Sequence, residues 1–124
     1  MHTFGIPVFA ATITPSTFPS SLCLPHTILT STVGAQNATA GTYTQPARVA
    51  TVQRVNNFIR TSGIFDAVFD FNAWLADPSM PTQLNPKYDS GDFLHPNEAG
   101  YQVLANNFDL AIFQKFKGGV SGYM

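Results

Sequence analysis

Phe65-Asp66-Ala67-Val68-Phe69-Asp70-Phe71 is a short apolar run with the length and composition of a buried strand. What precedes it decides the fold. Over Pro46–Thr61 the apolar spacing predicts a helix, with Val52, Val55 and Ile59 on one face and Val49 and Phe58 at its margins. Gln53, Arg54, Asn57 and Arg60 fall on the other side. Pro46 suits a first helical position and Gly63 a stop. Further upstream, Gly5 to Thr14 is a second continuous apolar run, ended by Pro15. Strand, helix, strand with so long a crossover predicts a right-handed βαβ unit with parallel strands, and hence an α/β fold.

The remaining segments are less regular. Residues 16–45 are rich in Ser, Thr, Pro and Gly without a sustained period, and are expected to form an irregular loop. Asn72 to Tyr88, punctuated by Pro78, Pro81 and Pro86, reads as another loop. Trp74 within it is expected to anchor the core. A C-terminal helix is predicted over 96–116, with Tyr101, Leu104, Ala105, Phe108, Ala111 and Ile112 as its main stripe and Gly118-Gly119 as its end. Two parallel strands cannot cover their own edges or both faces. The inventory therefore predicts that residues 1–124 are part of a larger α/β domain.

Bulk properties exclude several classes. The chain has 124 residues, 44% hydrophobic and 10% charged, with a formal net charge of −1 and no basic run. That balance argues against nucleic acid or acidic membranes as partners. No apolar run approaches the length of a transmembrane helix, and Met1–Pro15 lacks the basic start of a signal peptide. Cys23 is the only cysteine, so no disulfide or zinc cluster can be built. His2 lies at the terminus and His26 in the unpatterned loop, where surface positions are expected. Asn37-Ala38-Thr39 is a glycosylation triplet, and with few lysines and much Ser/Thr it points to a secreted parent protein.

The chemistry concentrates in Asp89-Ser90-Gly91-Asp92-Phe93-Leu94-His95-Pro96-Asn97-Glu98-Ala99-Gly100-Tyr101. A carboxylate three residues before an imidazole, at a turn, can accept one ring N–H and leave the other nitrogen free as a base. The segment closes a loop that leaves the carboxyl end of a strand, where α/β sheets gather their ligands. Pro96 at a first helical position, with Glu98 in the first turn, would hold His95 at the helix entrance. An alternative reading takes Asp89, Asp92 and His95 as an Fe(II) or Zn(II) site. Against it, Asp89-Ser90-Gly91 also explains itself as a tight turn. Ser90 reads as a turn residue.

The string Asp-Ser-Gly-Asp-x-Leu-His-Pro-Asn-x-Ala-Gly-Tyr closely resembles the last block of the SGNH (GDSL-type) hydrolases, the lipase and acylhydrolase family that cleaves carboxylic esters. Gly5-Ile6 with Ala11-Thr12-Ile13-Thr14-Pro15 is similar to that family's fourth-strand segment. Arg54–Arg60 with Gly63–Val68 is similar to its next helix and strand, and Asp70-Phe71 with Leu75–Pro78 to the connection that follows.

The resemblance implies a three-layer α/β/α, flavodoxin-like domain and a Ser-His-Asp acyl-transfer mechanism without cofactor. His95 would be the general base and Asp92 its orienting partner. The substrate would be a small ester or an acylated carbohydrate. The family's Gly-Asp-Ser nucleophile and its oxyanion-hole glycine and asparagine have no counterpart in this sequence, Gly34-Ala35-Gln36-Asn37 falling after the fourth strand instead of before it. Loss of the serine alone lowers turnover on the order of 10⁶-fold in a serine hydrolase. The chain alone is therefore expected to be inactive. The competing expectation is a truncated or vestigial, non-catalytic α/β module.

Overall fold

The structure is a computed structural model that describes residues 6–16 and 46–119. The expectations for 17–45, including Cys23, His26 and the Asn37 triplet, lie outside the described residues, as does His2. Strand β1 spans Phe9–Ala11, helix α1 Pro46–Thr61 and strand β2 Ala67–Phe69. The strands pair in parallel, with Phe9 opposite Ala67, Ala10 opposite Val68 and Ala11 opposite Phe69. The molecule is thus a mixed α/β structure built on the expected strand–helix–strand unit.

Both strands are shorter than their apolar runs, and at each end side chains join the backbone bonds that run on to Val8 and Thr12. Below the pair, the Asp66 carboxylate accepts the Val8 N–H at 2.7 Å. Above it, the Thr12 hydroxyl donates to Asp70 at 2.9 Å and accepts the Asn72 N–H at 2.8 Å. Phe9 and Phe69 meet edge to face on one side of the sheet, and Phe108 stacks on Phe69 with centroids 4.0 Å apart. Ile6, Ile13 and Val68, around the same strands, stay exposed.

Helix α1 has the predicted bounds, and Gly63 follows it at φ +67°. Its inward face differs from the expectation. Val55 and Phe58 are exposed, while Asn56 is buried at 1% exposure. Asn56 accepts the Ile13 N–H at 2.7 Å and donates to the Ile13 carbonyl at 2.8 Å. Ile13 has already left the strand ladder, and a buried peptide group without a partner would cost more than a less apolar helix face. Arg60 also turns toward the fold. Its guanidinium holds both Asp70 oxygens at 2.7 Å and reaches Asn72 at 3.0 Å.

The expected loop from Asn72 contains a short helix, α2 (Phe71–Leu75), capped by the Asp70 carboxylate, which accepts the Ala73 N–H. Five residues are too few to show a helical period. The core anchor here is Leu75, fully buried; Trp74 is half-buried and tilts against Phe71.

The single helix expected over 96–116 is two elements. Helix α3 runs Glu98–Asn107, and a 3₁₀ segment follows over Leu110–Gly119. Asn107 bonds back to the Val103 carbonyl, and Asp109 accepts the Ala111 N–H, starting the second segment. Asn and Asp offer such local bonds and weaken a continuing helix. The extended Phe108 between them is thereby free to stack on Phe69. Among the described residues no helix is long and apolar enough to cross a membrane.

Candidate functional site

The site is carried by the segment between α2 and α3, which pack against each other. From buried Leu75 a chain of backbone bonds leads toward it. The Leu75 carbonyl accepts from Asn85, the Asn85 carbonyl from Tyr88, and the Tyr88 carbonyl from Asn97. Asp89 and Pro96 then form an antiparallel bridge, and Ser90 N–H bonds the His95 carbonyl at 3.0 Å. Residues 89–96 therefore form a loop closed at its neck.

Asp89 Oδ1 shapes the inside of this loop by accepting the N–H groups of Gly91 and Phe93 at 2.9 and 3.0 Å. Gly91 has φ +102°, a conformation that favours glycine. Phe93 sits at φ +61°, uncommon for a residue with a Cβ. The two positive-φ turns bring Asp92 back over its own successors.

Asp92 Oδ1 accepts the Ser90 hydroxyl at 3.0 Å, the Leu94 N–H at 3.0 Å and the His95 N–H at 2.8 Å. Its Oδ2 lies 2.5 Å from His95 Nδ1. Partial burial pushes the Asp92 carboxyl up, but the hydrogen bonds from the His95 ring, the His95 and Leu94 backbone and Ser90 outweigh it and hold the group below the ordinary carboxylate range. An ionised carboxylate only accepts, so the ring proton belongs on Nδ1 and the lone pair on Nε2. The His95 side chain is 64% exposed, which leaves the ring accessible from outside.

The neck is held by Asn97. Its Oδ1 caps α3 by accepting the Gly100 N–H at 3.0 Å, and its Nδ2 donates to the Lys87 and Asp89 carbonyls, both at 3.0 Å. The expectation that Pro96 opens the helix is corrected: Asn97 is the cap, Glu98 the first helical residue, and Pro96 stands before the cap. Gly100 faces the same neck. A Cβ there would lie 2.8 Å from Pro96 Cβ and 3.0 Å from the Tyr88 carbonyl oxygen.

Sequence reasoning named Asp92 and His95, and the structure brings them together. It does not gather the alternative metal set. Among the described residues no three His, Cys, Asp or Glu side chains are placed to hold a metal ion, and Asp89 Oδ1 is engaged by the loop backbone. Ser90 and Asn97 were not singled out as supports of the pair. For Asn97 a signal existed, since an Asn just before a helical stripe is a favoured cap. A separate cavity of about 210 Å³ lies between α1 and the chain after β2, lined in part by Val49, Val52, Asn56, Arg60, Asn72 and Pro81.

The chain matches no protein-family model, and a search of curated proteins found no match either.

Proposed function

We propose that this chain supplies the acid–base half of a serine ester hydrolase of the SGNH type, as the C-terminal part of a three-layer α/β/α domain. The observation that carries the reading is the His95 ring, bound through Nδ1 to an Asp92 carboxylate whose other oxygen is fixed by three donors. The string Asp89–Tyr101 supports the same assignment by its resemblance to the family's last block.

In this reading a serine hydroxyl from outside these residues attacks the carbonyl carbon of a small ester or an acylated carbohydrate. His95 Nε2 takes the hydroxyl proton as the new C–O bond forms, and Asp92 stabilises the imidazolium. When the tetrahedral intermediate collapses, the imidazolium returns that proton to the departing alcohol. The resulting acyl-serine is cleared by water, which His95 deprotonates in the same way, releasing the carboxylic acid and restoring the serine. No cofactor enters this scheme. The parent protein is read as secreted.

The test is to express the chain together with the coding sequence directly upstream of Met1 and to measure turnover of an activated acetyl ester. The proposal expects turnover that falls on the order of 10⁴–10⁶-fold on His95→Ala. Turnover indifferent to His95, or none from the extended protein, would overturn it. A chain that hydrolysed the ester unaided and lost that ability on His95→Ala would contradict the claim that the nucleophile lies elsewhere.

A further inference from the structure

Asn97 does two separable jobs with one side chain. The carbonyl oxygen of its amide ends α3 by accepting the Gly100 N–H, while the amide nitrogen grips the Lys87 and Asp89 carbonyls on the opposite strand of the neck. Its own N–H adds a third tie, to the Tyr88 carbonyl at 2.7 Å. Three consecutive residues on the entering side, 87 to 89, are thus bound to one residue on the leaving side. Asp92 and His95 lie in the segment between them, which the Asp89–Pro96 bridge and the Ser90 N–H bond to the His95 carbonyl also close.

Resting on the functional reading above, we propose that Asn97 is the positioning residue of the Asp92–His95 pair, and that its amide-nitrogen bonds to the Lys87 and Asp89 carbonyls, apart from its capping bond, hold the ring against the carboxylate. The pair itself consists of an exposed ring and a partly exposed loop carboxylate. The Ser90 and Asp89 side chains shape the loop from within, reaching residues two to four positions away. Asn97 reaches across eight and ten residues. Opening the neck lets the entering strand drift, and the His95 Nδ1–H then spends more time exposed to water.

The two jobs separate by substitution. Asn97→Asp keeps an oxygen acceptor for Gly100 but has no N–H for the two carbonyls and sets a negative charge against them. Asn97→Ser keeps a capping hydroxyl and loses the reach to both carbonyls. Asn97→Ala loses the cap and the clamp together. On the chain as it stands, proton NMR follows solvent exchange of the His95 Nδ1–H and of the Gly100 amide. The expected result for Asn97→Asp and Asn97→Ser is His95 Nδ1–H exchange faster by about tenfold or more, with the Gly100 amide still protected. Wild-type exchange at His95 in both variants would overturn the proposal. Loss of protection at Gly100 as large as that at His95 would also overturn it, since the effect would then belong to the cap. If a carboxylate at 97 unfolds the chain, Asn97→Ser carries the same comparison. No ester is involved, so failure of the hydrolase reading and failure of the positioning role are distinguishable.

Discussion

Asp92 grips His95 twice: one carboxylate oxygen meets the ring at Nδ1, and the other accepts the backbone N–H of the same residue at 2.8 Å. The double hold fixes both the ring and the peptide that carries it. Because Leu94 N–H and the Ser90 hydroxyl also share Oδ1, the carboxylate cannot rotate away without giving up four bonds at once. A three-residue spacing alone does not guarantee this; the positive-φ backbone at Gly91 and Phe93, on either side of Asp92, shapes the turn that allows it.

Asp92 should titrate below the ordinary carboxylate range of about 3.9. A depressed folded-state value contributes stability that is present above the unfolded-state value and is lost as pH falls through the folded one. Carboxyl carbon NMR on the folded chain checks this directly. His95→Ala should move the midpoint up toward the ordinary range, and Ser90→Ala should move it up by less, since each removes a hydrogen bond to the ionised form. An unchanged midpoint in both variants would count against the geometry.

Gly100→Ala should destabilise the chain by about 1–3 kcal/mol, the usual range for overpacking. The added methyl would meet Pro96 Cβ and the Tyr88 carbonyl oxygen, and the latter is backbone already committed to Asn97. Urea unfolding measures it, as a lower midpoint. A variant as stable as wild type would mean that the neck is looser than described.

Arg60→Ala should cost about 1–3 kcal/mol, because it strips a half-buried Asp70 of its main partner. The Arg60 guanidinium holds the Asp70 carboxyl low against the opposing effect of burial, with Thr12 and the Ala73 N–H helping. In the variant the Asp70 midpoint should rise. Acid unfolding should then begin at higher pH in the variant, because the stabilisation that Asp70 retains in wild type below the ordinary carboxylate range is lost.

Phe108→Ala should destabilise by about 1–3 kcal/mol, less than a fully buried phenylalanine because the ring is only half-buried. Its stack on Phe69 and its contact with Phe113 join the 3₁₀ segment to the sheet. Thermal unfolding with fluorescence or circular dichroism would register the loss as a lower midpoint.

Much of the architecture was visible in the pattern of apolar residues, and the departures have specific causes. Helix α1 was legible because a helical period sustained over 16 residues is a strong signal, and the parallel pair because a crossover that long joins parallel strands. Asn56 was not legible as the buried position, since what recruits it is a backbone group at Ile13, forty-three residues away in sequence. Helix α2 is too short to show a period, and its cap, Asp70, is at once the partner of Arg60 and Thr12. The break at Phe108 was hidden by an apolar stripe that continues through it, although Asn106-Asn107 and Asp109 carried the warning. At the site, Asp92 and His95 were recoverable because their spacing suits a turn. Asn97 carried a capping signal just before the helical stripe, but its hold on the Lys87 and Asp89 carbonyls, like the Ser90 bond to Asp92, depends on contacts that composition does not encode.

The most direct measurement of the central claim is the tautomer of His95 in the intact chain, read from long-range proton–nitrogen correlations at a pH where the ring is neutral. The proton should sit on Nδ1, facing Asp92, with Nε2 carrying the lone pair, and that balance should shift in Asp92→Asn. A ring protonated mainly on Nε2, or one whose tautomer balance ignores Asp92→Asn, would contradict that claim.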